Sequence, residues 1–407
     1  MTAPADELPP AAFALALAEL PAMGPARLLA LHRAFGPVEA WSRVGSGRVL
    51  DAPAVMAALR PRPGEVLTAW ATAVRRADPA ATWARHAGVA VATVDDPTYP
   101  AALVDDVEPP AVLVWHGELE ALDGPRVAVV GTRRCTRTGR EVAAELGREL
   151  AAAGIRVVSG LASGIDGAAH RGALAADGAP PVAVVGCGLD VPYPHRHAAL
   201  WAEVAARGLV VSEAPLGTRP APWRFPARNR IIAALADVVV VVESHAAGGS
   251  MHTVDEALRR DRTVLAVPGS VRNPAAAGTN RLLHEGMGPA RDVSDVLIAL
   301  GSAGPAPPGA AAPRSGRPTA ATPAGATPAA ATPAAATRPG SRRSVRPAPS
   351  PDASRALAAI GWDPVTIDAV ARDSGLATGP LALALEELDA AGWVHRQGGY
   401  VERRSEH

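Results

Sequence analysis

Apolar positions along this chain follow two rhythms, and the point where one replaces the other predicts the architecture. Residues 8–58 carry apolar side chains at mainly helical spacing, with Leu28, Leu29, Leu31 and Phe35 as the clearest stripe, and read as short helices. The stretch from Leu20 to Pro25 breaks two such runs. A Leu-x-x-Gly-x-Gly turn there would suggest a helix-hairpin-helix contact to DNA, but Met23 stands where the first Gly belongs, which favours a plain helical packing module. From about residue 80, short β-branched runs alternate with helical ones, the pattern of βαβ units. Strands are predicted at 89–94, 112–116, 126–130, 156–159, 181–186, 208–212, 237–242 and 263–267. Helices are predicted between them at 139–153, 167–176, 198–207, 227–235 and 251–260. A run as apolar as Val238 to Val242 belongs to a strand with helices on both faces.

The pattern lapses over 301–350, where Ala, Pro, Thr and Gly dominate and six arginines face no acid; this reads as a disordered, basic linker. It returns over 351–407, with helices at 367–373 and 379–391 and a hairpin at 392–401, the layout of a winged helix-turn-helix. The expected fold is therefore α/β: an extended Rossmann-like core with a parallel sheet over 81–300, a small helical N-terminal domain over 1–80, and a C-terminal winged helix.

Composition narrows the function. The 407 residues carry a net charge of +0, so any affinity for nucleic acid must come from a local patch. All 40 basic residues are arginine; without lysine, neither a P-loop nor a Schiff base can be built. Cys135 and Cys187 make no disulfide framework and lack metal-ligand spacing, so no metal site and no cofactor is expected. The N-terminal residues resemble no signal peptide and no stretch reaches 18 apolar residues, which leads us to expect a cytoplasmic protein with no membrane partner.

Ligands of an open parallel sheet bind beyond the carboxyl ends of its strands. The residues there are Gly131-Thr132-Arg133 after the third predicted strand, and Ser159-Gly160 through Gly164 and Asp166 after the fourth. Gly186-Cys187-Gly188 through Tyr193 follow the fifth, and Gly248-Gly249-Ser250 through Thr253 the seventh. Glycine backbone and small hydroxyls suit phosphate oxygens. No G-x-G-x-x-G follows Val130, and Leu161 spoils a G-x-S-x-G around Ser163. Asp166 reads most simply as a helix N-cap. Most informative is Trp223 to Ile232, where Pro226 suits helix position N1 and Arg228 and Arg230 fall in the first turn. Arginines interleaved with Trp223, Phe225 and Tyr193 are suited to a single strand, whose backbone follows charge and whose bases stack on rings. Two other readings stand beside this: the arginines pair with Glu213 or Glu243, and the rings belong to the core.

Across residues 90–300 this series resembles the DNA-processing protein A (DprA/Smf) family. The resemblance rests on Val130-Gly131-Thr132-Arg133, Ser159 to Asp166, Gly186 to Pro194, Ser212-Glu213-Ala214-Pro215, Phe225 to Ile232 and Gly278-Thr279-Asn280. It implies a non-enzymatic protein that binds single-stranded DNA, forms a homodimer and loads the RecA recombinase in transformation or recombination. The candidate DNA-contacting residues are Gly131, Arg133, Ser159, Gly160, Gly164, Gly186, Gly188, Tyr193, Phe225, Arg228, Asn229, Arg230, Gly249, Ser250 and Thr253, with Arg133 and Arg228-Asn229-Arg230 on phosphates. Thr138, His197 and Gly248 depart from the family's usual residues. A competing reading is a nucleotide phosphoribohydrolase, from a loose match of Gly248-Gly249-Ser250, Thr253 and Glu256 to that signature; it leaves Trp223 to Ile232 without a role.

Overall fold

Nine strands form one sheet: β1 (Ala90–Thr93), β2 (Val112–Gly117), β3 (Arg126–Val130), β4 (Arg156–Ser159), β5 (Val182–Val185), β6 (Leu209–Ser212), β7 (Val238–Val241), β8 (Thr263–Ala266) and β9 (Gly288–Pro289). Their order is β1-β2-β6-β5-β4-β3-β7-β8-β9. The computed structural model describes residues 8–49, 51–60, 63–303, 347–360, 365–397 and 400–403. The predicted linker lies outside these residues except at its two ends. The chain divides into two compact units, one holding Met1–Pro305 and the other most of the C-terminal residues.

From β6 across to β9 every neighbouring pair is parallel. The parallel core expected from the sequence is present, with an antiparallel edge: β2 runs antiparallel to both β1 and β6. The connection from β1 to β2, residues 94–111, carries only the four-residue helix Ala101–Val104. β9 is two residues long and carries no β-branched run, so periodicity missed it.

Alternation along the central strands sends side chains to two cores. Val127, Val129, Val238 and Val240 face the helices Arg137–Ala152 and Ile165–Ala175, while Ala128, Val130, Val239 and Val241 face the helix Arg224–Leu235. All four residues of β7 are buried, as its unbroken valines require.

The N-terminal region has five helices among the described residues: Pro10–Ala18, Pro25–Ser46, Pro53–Leu59, Pro63–Val74 and Pro79–Arg85. Each begins on proline, whose fixed φ suits the first helical position and whose missing N–H costs nothing there. The fourth lies beyond the periodic stretch at 8–58 but within the helical region expected over 1–80, and the fifth crosses the end of that region. These helices, expected as a domain of their own, share a core with the sheet: Leu15, Leu31 and Trp70 join Val112, Val114, Val185 and Val210 in one buried cluster. Met23 is buried in it, in keeping with a packing role for the Leu20–Pro25 turn.

The second unit has its own core around Leu357, Val370, Leu381, Leu385, Leu388 and Val394. Helices Pro351–Ala359, Ile367–Ser374 and Thr378–Ala390 precede the antiparallel pair β11 (Val394–Gln397) and β12 (Tyr400–Arg403), and β10 (Val365–Thr366) completes a small sheet, β10-β12-β11. This is the winged-helix layout read from the sequence.

Candidate nucleic-acid interface

Strand order positions the site. β3 leads by helices to β4, β5 and β6 on one side, whereas β7, β8 and β9 build outward on the other. The loops after β3 and β7 therefore diverge, and a crevice opens between them. A cavity of ≈ 780 Å³ occupies it, lined by residues 131–134 after β3, Ala162 and Asp166 after β4, Tyr193 after β5, Phe225, Arg228 and Asn229 from the β6 connection, and residues 247–250 after β7.

Both loops are held by Glu243, a buried carboxylate just past β7. It accepts hydrogen bonds from the Thr136 N–H (2.8 Å) and Oγ1 (2.6 Å), while its backbone oxygen accepts from the Thr132 N–H (2.7 Å). A Cβ on Gly131 would stand 2.7 Å from that same oxygen, so the close approach needs glycine. Glu243 thus ties the β3 loop to the β7 loop, while Arg228 and Arg230 pair with Asp166 and Glu213.

The wall carries a stack of side chains. The guanidinium of exposed Arg133 lies over the Phe225 ring at 4.5 Å, and Tyr193 stands 5.5 Å from Phe225 on centroids. Tyr193 keeps 38% of its surface exposed. Here charge and rings meet as the sequence suggested. Asn229 donates to the Gly249 oxygen (3.4 Å), and a Cβ on Gly249 would meet nothing within 4 Å, so the backbone of that turn is open to a ligand.

Arg228 has a different role. It is 4% exposed and donates to the carbonyls of Gly160 (2.9 Å) and Val184, with the Asp166 carboxylate 3.6 Å away. It fastens the ends of β4 and β5 under the cavity floor, in space that a side chain on Gly160 would fill. The helix starts at Arg224, two residues before the expected start, so Pro226 is its third residue and Arg228 its fifth, on the face toward the sheet. Arg230 is not at the cavity at all. It binds Glu213 and the Glu108 carbonyl (2.8 Å), as the pairing alternative had it. Of the three arginines expected on phosphates, Arg133 alone is exposed, and Arg228 and Arg230 are turned inward.

Several glycine and serine candidates support the loops from behind. Ser159 Oγ donates to the Val129 carbonyl (2.7 Å) at zero exposure. Gly164 packs against the backbone of Thr132 and Arg133, Gly186 against Arg224, and Gly188 against Pro215 and Asp190. Ser250 and Thr253 line the cavity but are buried, and Ser250 donates to Ser244 Oγ (2.8 Å). Asp166 is the second residue of its helix, not the N-cap, which is Gly164. Burial pushes its carboxyl up, and Arg228, then Arg133, pull it back. Glu256, which the phosphoribohydrolase reading requires, lies outside the cavity lining and pairs with Arg259 (3.1 Å) and Arg260 (2.5 Å). Reasoning from strand ends missed His245 and the Pro220-Ala221-Pro222 rim; a proline-rich turn just before an aromatic and a strand-end His were the available signals.

Among the described residues, no helix is long and apolar enough to cross a membrane. A family profile described as DNA recombination-mediator protein A matches residues 90–301, and one described as DprA winged helix domain matches 326–400. The putative DNA processing protein DprA of Mycobacterium tuberculosis is 38% identical over 295 residues, covering 69% of this chain and 72% of that one. The DNA processing protein DprA of Streptococcus pneumoniae is 40% identical over 206 residues, covering 50% and 71%. The X-ray structure of DNA processing protein A from Streptococcus pneumoniae superposes with a TM-score of 0.59 at 30% identity, covering 70% of this chain and 95% of that one.

Proposed function

This chain belongs to the DNA recombination-mediator protein A family, and we propose that its β3–β7 cavity binds single-stranded DNA without chemistry of its own, delivering the strand to a RecA-type recombinase. One observation carries the reading: the Arg133 guanidinium stacked on Phe225 beside Tyr193, at the mouth of a cavity whose far wall is open backbone at Gly249. Arginine answers the phosphates, which on a single strand lie beside the bases, and the rings answer the bases. A duplex offers its bases only within grooves, where two stacked rings have nothing to cover. Asp166 is committed to Arg228, and Glu256 to its own arginines, which leaves neither poised over a glycosidic bond.

We assign the RecA partnership and a homodimer to the same reading, from the family and from strand binding. Fluorescence anisotropy with labelled single- and double-stranded oligonucleotides is the direct test, and preference for the single strand is expected. Incubation with nucleoside monophosphates should release no free base. With RecA and a strand pre-coated by single-strand-binding protein, addition of this chain should speed filament formation; no acceleration at any concentration would remove delivery and leave binding intact.

A further inference from the structure

The sequence grouped Trp223 with Phe225 as one stacking surface; the fold parts them. Phe225 lines the β3–β7 cavity, whereas Trp223 and Arg224 line a second one of ≈ 850 Å³ between the N-terminal helices and residues 216–218. Trp223 is 48% exposed, and the Arg224 guanidinium sits over its ring at 4.4 Å. The helix Pro25–Ser46 begins in the same cavity, and its N-cap residue Gly24 supplies no side-chain cap. Pro25 has no N–H and the Arg27 N–H bonds the Gly24 carbonyl (3.1 Å), so the Ala26 N–H is the donor this positive helix end turns to the cavity. The Arg27 guanidinium beside it donates to the carbonyls of Ala58 (3.0 Å) and Ala22 (2.5 Å) and keeps its charge. Of the charged side chains there, Arg27, Arg85 and Arg224 outnumber Glu19, which is itself bound to Arg85.

We propose that this Trp223 cavity is a second nucleotide site for the same DNA strand, with a base on the Trp223 ring and a phosphate at Arg27 and the head of the Pro25 helix. The inference rests on the reading of the first cavity as a single-strand site. Its physical basis is charge complementarity and continuity. Trp223 and Phe225 are two residues apart, which keeps their Cα atoms within about 7 Å. A strand leaving Phe225 over the intervening ridge meets the next ring in a cationic recess and needs no other path. The two cavities then act as linked sites, the second adding affinity only to strands long enough to reach it.

Binding of oligothymidylates of about 4 and about 12 nucleotides, lengths within the range of single-strand sites, separates the two claims. The wild type should bind the longer strand more tightly. Trp223→Ala should weaken the longer strand by about 5- to 100-fold and leave the shorter one unchanged, and Trp223→Phe should restore most of the loss. Phe225→Ala should weaken both. Full retention of the length-dependent gain in Trp223→Ala, or no such gain in the wild type, overturns the second site while the first stands. No binding of either strand by the wild type overturns the first reading and this one with it. Should Trp223→Ala fail to fold, photo-cross-linking of a bromouracil-containing 12-mer to the wild type decides: adducts at Trp223 or within residues 18–27 support the site, and adducts confined to the first cavity refute it.

Discussion

The guanidinium of Arg133 lies over the ring of Phe225, 4.5 Å from its centroid, although they come from the connections after β3 and β6. The cation is thereby held at the place where the ring is offered. Arg133→Ala removes a phosphate contact and should flatten the dependence of log K on log salt by about 0.7, for all sequences alike. Phe225→Ala should cost about 1–3 kcal/mol with the slope unchanged. Because each orders the other, the double variant should lose less than the sum of the two. Salt titrations of the three variants by anisotropy check this; an unchanged slope in Arg133→Ala places the phosphate contact elsewhere.

Arg228 and Arg230 should behave otherwise. Both are buried and bound to carbonyls and carboxylates. Arg228→Ala strands the Asp166 carboxylate in the interior, and removal of one partner of a buried pair costs about 3–5 kcal/mol. Urea denaturation should show that loss. Any DNA-binding defect should follow the unfolded fraction, and the salt slope of the folded fraction should match the wild type.

Two glycines separate support from contact. Gly160→Ala drives a methyl into the Arg228 guanidinium and should destabilise the fold by about 1–3 kcal/mol. Gly249→Leu meets open space, should leave stability within about 0.5 kcal/mol, and should still weaken DNA binding by filling the cavity mouth. Denaturation midpoints and binding isotherms of the two variants should move in this crossed pattern.

His170 predicts a pH dependence. It is fully buried, and neither ring nitrogen makes a well-formed hydrogen bond, the Ser159 backbone giving only a partial one. Burial pushes its pKa down to about 3, from an ordinary value of 6.5. The folded protein thus holds the neutral ring while the unfolded chain takes up a proton. Stability is complete above the unfolded value and falls as pH drops from 6.5 toward 3, by at most about 1.4 kcal/mol per pH unit for this group. Urea midpoints across that window should show the slope, and it should shrink in His170→Leu.

Much of this was legible in sequence. Valine runs marked β3 to β8, the strand-end rule brought Gly131, Arg133, Tyr193 and Gly249 to one edge, and the Arg-aromatic run added Phe225. What periodicity could not resolve was the direction of individual side chains. Arg228 and Arg230 lie in a helix buried on most of its surface, from Arg228 to Leu235, so no polar stripe distinguished an arginine under the sheet from one in solvent. Asp166 missed its capping role because Gly164, at φ +81, ends the turn one residue before the helix begins. The short β9 was invisible for want of a distinctive period, and β2, though marked as a strand, gave no sign of its antiparallel direction.

The adjacency of β3 and β7 also governs when the site can exist. Arg126 at the start of β3 is bound to Asp237, 111 residues further along the chain. A polypeptide emerging from the ribosome has made β3, its loop and Arg133 long before it has made the other wall. A fragment that stops short of Val238 should collapse around β4 to β6 yet hold no strand, since half of the crevice is missing. Strand capture is therefore a late event in biogenesis, withheld until the centre of the sheet has closed.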